Sequence, residues 1–155
     1  MAKQNNHIRR ATAHDLERII DCAHAAYEIY VSRIGRAPAP MIADFEEQIR
    51  QHKVFVHSDT VQVIRGYVVF YKSGRSVLLE NVAVHPDHHG MGYGRQLVSF
   101  VEEYARNEGM DTVRLYTNIH MHENLSLYPA LGYRETGRRR EDGFERVYFE
   151  KAVDR

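Results

Sequence analysis

The sequence lacks several features that mark specialised classes of protein. It contains one cysteine, Cys22, in 155 residues, so no disulfide can form within the chain, and this thiol is expected to be a small buried residue. No apolar run approaches the roughly 18 residues of a membrane-spanning helix. The opening residues, MAKQNNHIRR, hold no apolar core of a secretory signal. We therefore expect a cytoplasmic protein with no membrane partner.

An excess of either charge is also missing, with 21 lysines and arginines against 21 aspartates and glutamates. A neutral chain lacks the electrostatic footprint of a nucleic-acid-binding protein, and the arginines at 138–140 are expected on a solvated strand. Histidine is abundant, but the groups at 85–89 and 120–122 lack the spacing and the cysteine or carboxylate support of a zinc site. We expect no nucleic-acid partner and no metal.

The hydrophobic pattern predicts one α/β domain over residues 1–155. This length, with 43% hydrophobic residues, is enough for a single core. Apolar periods of two and of 3.6 residues predict the order β-α-α-β-β-β-α-β-α-β-β. Strands 78–84 and 112–118 enclose a helix, and the crossover that this requires makes them parallel neighbours. Asp142-Gly143 between two β-rich runs predicts a hairpin.

A glycine-rich turn, HGMGYGR at residues 89–95, joins strand 78–84 to the next helix. Each glycine in a helix start is unfavourable by about 1 kcal/mol relative to alanine, so bare backbone must serve a purpose there. The first turn of a helix carries unpaired N–H groups and partial positive charge, which suit a phosphate. The spacing is neither that of the dinucleotide fingerprint nor that of the Walker loop. The turn therefore favours phosphate binding of another kind over a purely structural role.

Three segments together resemble the GNAT superfamily of acetyl-CoA-dependent N-acetyltransferases: IRRATAHDL, VAVHPDHHGMGYG and NLSLYPALGY. The central motif of that family is Gln/Arg-x-x-Gly-x-Gly/Ala after a V-x-P step, and His89 stands at its first position here. The resemblance implies a mostly antiparallel sheet in which a central parallel strand pair splays apart, with about four helices. It also implies acetyl-CoA as the acetyl donor, a primary amine as acceptor and no metal, and it is compatible with a homodimer.

The same resemblance implies which residues meet the cofactor. The pantetheine arm is expected along the backbone of Val82, Ala83 and Val84. Asn124 is expected to cap a helix and touch the arm. The pyrophosphate is expected on the turn formed by His89, Gly90, Met91, Gly92, Tyr93, Gly94 and Arg95.

Acetyl transfer to an amine needs a base for the ammonium and a proton for the departing thiolate. Glu80 lies within the apolar strand VLLENVAV, where burial would raise its pKa towards that of a general base. Strand alternation predicts that Leu78, Glu80 and Val82 share one face. Tyr128 stands at the acid position of the family, where a phenol can protonate the thiolate or bind the thioester of the cofactor. His120 or His122 is an alternative base.

The acceptor site is expected near Tyr27, Tyr30 and Arg33, which suggest a polar, carboxylate-bearing amine; the same residues could simply fold the loop. The sequence does not decide between a small-molecule amine and a peptide or protein amine. Two other functions stay open: a non-catalytic regulator that binds acyl-CoA with the same fold, and a module for an unrelated nucleotide.

Overall fold

The computed structural model describes residues 7–59 and 63–153. The strands are β1 Ile8–Arg10, β2 Val54–Ser58, β3 Ile64–Ser73, β4 Ser76–Val84, β5 Thr112–Asn118, β6 Arg134–Glu141 and β7 Phe144–Ala152. The α-helices are α1 Leu16–Ile34, α2 Phe45–Arg50, α3 Tyr93–Asn107 and α4 His122–Ala130. The turn that the sequence predicts at 58–60 reaches residue 60, which lies outside the described ranges.

Within these ranges, seven strands form one open sheet in the order β1-β2-β3-β4-β5-β7-β6. Only the neighbours β4 and β5 run parallel, whereas the other described pairs are antiparallel. The predicted parallel pair, the mostly antiparallel sheet and the four α-helices are thus confirmed. None of the described helices is long and apolar enough to cross a membrane.

The parallel strands part half-way along their length. Their pairing runs from Ser76 opposite Thr112 to Leu79 opposite Leu115 and stops there. On the other side of β4, Val69 pairs with Asn81 but Phe70 pairs with Leu79, so Glu80 is an extra residue in a β-bulge. Bulge and separation therefore coincide at Glu80.

The bulge changes which way β4 faces. Before it, Val77 and Leu79 pack in the core beneath α3; after it, Val82 and Val84 pack against that same core. Ala83 instead joins the core beneath α1. The expectation that Glu80 and Val82 share a face is wrong, because the extra residue shifts the alternation by one position.

The helices cover the two faces of the sheet as their apolar positions predict. Thr12 and Asp15 form a capping box before α1, with Thr12 N donating to Asp15 Oδ2 at 2.8 Å. The predicted second helix is shorter than expected, because Ala39–Ile42 forms a 3-10 turn and α2 begins only at Phe45. Asp142 and Gly143 both have positive φ in the tight β6–β7 turn, which confirms the predicted hairpin.

Candidate active site

Two pockets adjoin where β4 and β5 separate. The larger has a volume of about 450 Å³ and lies between α1, the end of β4, the start of α3 and α4; we name it the glycine-turn groove. The smaller, of about 90 Å³, lies between the loop 38–43, β4, β5 and the start of β7; we name it the Glu80 pocket. Four residues line both pockets: Tyr27, Val82, Asn124 and Tyr128.

The free edge of β4 forms one wall of the glycine-turn groove. His85 N donates to Arg65 O at 2.8 Å, so His85 faces β3, and by alternation Val82 and Val84 turn their backbone groups towards the gap. Tyr27 Oη donates to Val82 O at 3.1 Å, and His89 Nε2 lies 2.9 Å from Val84 O. A carbonyl can accept two hydrogen bonds, so both oxygens keep one site for a ligand.

The start of α3 forms the opposite wall. Gln96 N makes the first helical hydrogen bond, to Gly92 O at 3.0 Å, so the amides of residues 93–95 precede the helical ladder. Gly90 and Gly92 have φ of 81° and 83°, which only glycine adopts without strain. Arg95 lines the groove, and its side chain has no polar partner among the described residues. Bare amides and a free guanidinium make this end of the groove a site for anions.

Gly94 differs from the other two glycines of the turn. Its φ is not positive, and a Cβ added there would meet only Val84 Cγ2, at an ordinary 3.6 Å. The fold would therefore accept alanine, a better helix former by about 1 kcal/mol. Since Gly94 lines the groove, its missing side chain leaves space for a ligand rather than for the protein.

A buried polar network supports the turn from behind. His57 is fully buried, and its Nε2 lies 2.7 Å from Gln96 Oε1 of α3. Arg65 Nε donates to His57 Nδ1 at 3.1 Å, which places the imidazole proton on Nε2. The Arg65 guanidinium also lies over the Tyr93 ring, 4.8 Å from its centroid. Burial, together with the charge of Arg65, lowers the pKa of His57, so the ring is neutral in this network.

Tyr128 lies at the junction of the two pockets. Its side chain is buried, packs against Tyr133 and Phe149, and has no hydrogen bond to its hydroxyl within the described residues. Burial raises the pKa of Tyr128, which keeps the phenol protonated. Pro129 follows Tyr128 within α4, and the helix continues to Ala130. A protonated, unpartnered hydroxyl between two pockets can give its proton to a ligand.

Asn124 supports the same junction in a way that differs from the expectation. Met121 is the N-cap of α4, and Asn124 is inside the helix, so the predicted capping role is wrong. The reason is that the helix begins at His122, two residues before Asn124. Asn124 Nδ2 instead donates to Thr117 Oγ1 at 3.1 Å, which ties α4 to the end of β5.

Glu80 lies in the smaller pocket that carries its name. It is half-buried, and its Oε2 accepts a hydrogen bond from Gln48 Nε2 of α2 at 2.8 Å. Because of the bulge, its backbone pairs with neither neighbouring strand, and its side chain reaches α2 and lines the pocket. The pocket therefore holds a fixed carboxylate close to the place where the two pockets join.

Comparison with known sequences decides the family of this fold. A sequence profile described as the acetyltransferase (GNAT) family matches residues 16–133. The chain belongs to the GNAT acetyltransferase family. It is 33% identical over 72 residues to thialysine N-epsilon-acetyltransferase of Bos taurus. The matched segment covers 43% of this chain and 42% of that protein. The matched segment thus spans less than half of this curated relative.

Solved GNAT-like structures share the architecture over nearly the whole chain. The yncA protein of Salmonella typhimurium, solved with its cofactor acetyl-CoA, has a TM-score of 0.71 at 22% identity, covering 96% of this chain and 94% of that one. The paia N-acetyltransferase of Thermoplasma acidophilum, solved with coenzyme A, has a TM-score of 0.70 at 16% identity, covering 94% and 97%. At these identities the likeness shows the fold.

The residues that sequence analysis assigns to the GNAT cofactor site are brought together by the fold. Every one of them except Met91 lines the glycine-turn groove. Met91 is 63% exposed at the tip of the turn and faces away from the groove lining. Their roles towards a cofactor stay predictions, but the shared groove is a property of this structure.

The predicted acceptor residues of this GNAT chain are separated. Tyr27 lines both pockets, whereas Tyr30 lines only the glycine-turn groove. Arg33 forms a two-pronged ion pair with Glu123, at 3.1 and 3.2 Å, and Tyr30 Oη donates to Glu123 Oε1 at 3.2 Å. Arg33 holds the pKa of Glu123 near 2, well below its usual value. These contacts fasten α1 to α4, and an acceptor role for Tyr30 and Arg33 stays a prediction.

The alternative base residues lie away from both pockets. Neither His120 nor His122 is among the residues that line the glycine-turn groove or the Glu80 pocket. Among the described residues, no group of three or more histidine, cysteine, aspartate or glutamate side chains could hold a metal ion. Cys22 is buried, and burial raises its pKa to about 12, as suits a structural thiol.

Two residues that matter in this site escape sequence reasoning. Asn81 is buried, its Oδ1 accepts from Tyr27 and from Tyr67, and its Nδ2 donates to Pro40 O. The sequence signal at Asn81 is a polar residue within an apolar strand. The adjacent Glu80 carries the same signal, so the sequence does not single out Asn81. Arg146 lines the Glu80 pocket from β7, and no motif marks it, because its neighbours there come from distant parts of the chain.

Proposed function

We propose that this GNAT-family protein is an N-acetyltransferase that moves the acetyl group of acetyl-CoA to a primary amine. The observation that carries the proposal is the junction of the two pockets at Tyr128. A groove of about 450 Å³ and a smaller pocket with a carboxylate meet at a free hydroxyl. The bovine relative is named as an N-acetyltransferase, which supports the same class of reaction.

The glycine-turn groove fits coenzyme A in its chemistry. The amides of residues 93–95 and the guanidinium of Arg95 would bind the pyrophosphate. The carbonyls and amides of Val82 and Val84 would pair with the amide groups of the pantetheine arm. Acetyl-CoA supplies an acetyl thioester, and this placement directs it towards Tyr27 and Tyr128 at the junction.

Three groups of the chain carry the chemistry in this proposal. Glu80 takes a proton from the acceptor ammonium, directly or through a water, and the freed amine nitrogen bonds to the carbonyl carbon. The Val82 N–H, which faces the gap, donates to the oxygen on which negative charge develops. As the carbon–sulfur bond breaks, Tyr128 gives its proton to the departing thiolate, and the second proton that the nitrogen loses as the amide forms restores the Tyr128 hydroxyl. The products are the acetylated amine and coenzyme A.

The test combines binding with turnover. Thermal unfolding is measured with acetyl-CoA, ATP and NAD; a ligand at about 100 times its dissociation constant stabilises by roughly 2.7 kcal/mol and raises Tm by several degrees. Thiol release from acetyl-CoA is then followed with a panel of amines. A shift with acetyl-CoA alone, together with amine-dependent thiol release, supports the proposal. An equal shift with ATP or NAD would point to an unrelated nucleotide.

A non-catalytic regulator would behave differently in the same assays. It would bind acetyl-CoA, release no thiol with any amine, and be indifferent to Glu80→Gln combined with Tyr128→Phe. The Tyr128 hydroxyl argues against that role, because it has no partner among the described residues and Tyr128 lines both pockets, where a ligand could reach it.

A further inference from the structure

The charges in the Glu80 pocket point to the kind of amine that it accepts. Among the described residues that line this pocket, only Glu80 and Arg146 carry a formal charge. Prolines, alanines and aromatic rings make up much of the remaining wall, so few other groups could balance a charged ligand. A ligand that is complementary to the pocket therefore has a positive end and a negative end.

Arg146 is placed as a receptor rather than as a surface charge. Its side chain is 10% exposed, and its guanidinium lies 4.5 Å from the ring centroid of Tyr116 and 5.5 Å from that of Phe144. Stacking on aromatic faces holds the planar group in one orientation. A rigid guanidinium loses little freedom when it binds a ligand.

Most of the hydrogen-bonding capacity of Arg146 is unused. Its Nη1 makes the polar contacts, with Glu141 Oε1 at 3.3 Å and Asp142 Oδ2 at 3.7 Å. Within the described part of the chain, Nε and Nη2 have no acceptor. These donors form one edge of the guanidinium fork, the edge that binds the two oxygens of a carboxylate.

The carboxylates beside Arg146 do not cancel its charge inside the pocket. The side chains of Glu141 and Asp142 are 33% and 83% exposed, so solvent screens both of them. Neither lines the pocket, and Glu141 also accepts from Tyr148 Oη and contacts Arg139. The two carboxylates therefore balance charge at Nη1, whereas the rest of the Arg146 guanidinium remains available to a negatively charged ligand in the pocket.

The sheet register sets the two charges on opposite sides of the gap. Arg146 pairs with Asn118 at the end of β5, and Glu80 lies on β4 just past the last residue that pairs with β5. The Tyr116 side chain, on β5 between them, interacts electrostatically with both charges. A molecule spanning the pocket can thus contact Glu80 with one end and Arg146 with the other.

We propose that the acceptor is a small zwitterion that carries its primary amine and a free carboxylate in one molecule, such as an amino acid. The inference rests on the proposed acetyl transfer and names its substrate class. Arg146 binds the carboxylate through Nε and Nη2, and the amine lies at Glu80, next to the junction. A pocket of about 90 Å³ accommodates a molecule of this size rather than a large polyamine. A peptide amine whose carboxylate is an amide lacks the group that Arg146 binds.

The test compares matched pairs of acceptors with purified full-length protein and acetyl-CoA. Each of several amino acids is assayed against its C-terminal amide, with kcat/KM referred to the concentration of free amine. The free acids are expected to be better acceptors by at least about tenfold, because an amide leaves the guanidinium without its anion. Arg146→Gln is expected to remove this preference while acetyl-CoA affinity stays unchanged, and Arg146→Lys is expected to retain part of it.

Arg139→Gln is the matched control. Arg139 lies opposite Arg146 in the β6–β7 register, contacts the same Glu141 and stacks on Tyr148, but it does not line the pocket. It should keep the preference for free acids. If Arg146→Gln does not fold, the amino acid and amide pairs on the unaltered protein decide alone.

The possible failures are distinguishable. Amides that react as well as free acids, or an unchanged preference in folded Arg146→Gln, would overturn the zwitterion inference and leave acetyl transfer standing. Acetyl-CoA binding without transfer to any amino acid or amide would also overturn it. Absence of both binding and transfer would remove the proposed function itself.

Discussion

The Tyr27 hydroxyl of α1 donates to Asn81 Oδ1 of β4 at 2.8 Å, across the place where β4 leaves β5. Tyr67 donates to the same oxygen at 3.3 Å, and Asn81 Nδ2 donates to Pro40 O at 3.0 Å. One carboxamide therefore satisfies three groups from α1, β3 and the loop that borders the Glu80 pocket. This contact fixes the bulged strand relative to the helix above it.

This relationship predicts unequal costs for two substitutions. Asn81→Leu leaves the buried Tyr67 hydroxyl and the Pro40 carbonyl without partners and leaves the Tyr27 hydroxyl only Val82 O, and we expect a loss of about 3 kcal/mol in the free energy of unfolding. Tyr27→Phe should cost only about 1 kcal/mol, since Tyr67 still pairs with Asn81. Denaturant unfolding of both variants measures the difference. Equal losses would show that Asn81 does not organise this cluster.

Gly94 offers a test of the anion site that does not disturb the fold. A side chain at Gly92 would be strained by its φ of 83°, but Gly94→Ala meets only ordinary contacts. We expect Gly94→Ala to be as stable as the parent or more stable by up to about 1 kcal/mol. Acetyl-CoA affinity should fall much more in Gly94→Leu, whose longer side chain would occupy the groove that Gly94 lines, than in Gly94→Ala, since the family motif accepts alanine at this position. Calorimetric titration with acetyl-CoA would refute the site if Gly94→Leu bound as tightly as the parent.

Tyr128→Phe should separate catalysis from binding. Loss of a general acid is expected to lower kcat about 100-fold with little change in acetyl-CoA affinity. Tyr133→Phe is the matched control, because Tyr133 Oη donates to Glu102 at 2.9 Å and lines neither pocket. That variant should lose stability but keep kcat. Equal turnover in both variants would remove the acid role from Tyr128.

Glu80→Gln should change both the rate and its pH dependence. Without a base, only acceptor molecules that are already deprotonated react, so kcat/KM should fall about 100-fold near neutral pH. The remaining rate should rise about tenfold per pH unit below the amine pKa, as the free-amine fraction does. Glu47→Gln on α2, whose carboxylate pairs with Arg50 outside both pockets, should match the parent. A Glu80→Gln profile parallel to the parent would exclude the base role.

His57 predicts a loss of stability in mild acid. Its pKa is lowered in the folded protein, so the unfolded chain binds more protons as pH falls through about 6.5, the ordinary pKa. The contribution of His57 to the free energy of unfolding is thus fully present above that pH. It is lost below that pH, and the total loss is about 1.4 kcal/mol for each unit by which the pKa is lowered. The charged groups facing the ring are Arg65, Asp59 and His7. His57→Leu should be less stable at pH 7 but flatter between pH 7 and 5 in thermal unfolding; an equally steep profile would assign the acid loss elsewhere.

Much of the fold follows from the sequence, because local patterns decide it. The capping box before α1, the glycine turn and the Asp142-Gly143 hairpin each depend on neighbouring residues, and the structure contains all three. The bulge at Glu80 is different. It arises from how β3 and β4 align over their whole length, and the pattern of apolar and polar residues within β4 does not indicate it.

The site shows the same division between local and distant contacts. The glycine-rich turn is continuous in sequence, so its residues could be named in advance. The Glu80 pocket brings together the loop 38–43, β4, β5 and β7, and its second charge, Arg146, becomes visible only when β7 is seen to pair with β5. A single sequence does not show which distant strands are neighbours.

The one-residue bulge in β4 also bears on the order of kinetic events. Because of the bulge, a single strand contributes Val82 to the glycine-turn groove and Glu80 to the Glu80 pocket. In the proposed reaction, donor and acceptor would therefore lie in separate pockets and be bound together. Initial rates measured against both substrates should then give intersecting lines, the pattern of a ternary complex, rather than the parallel lines of a double displacement.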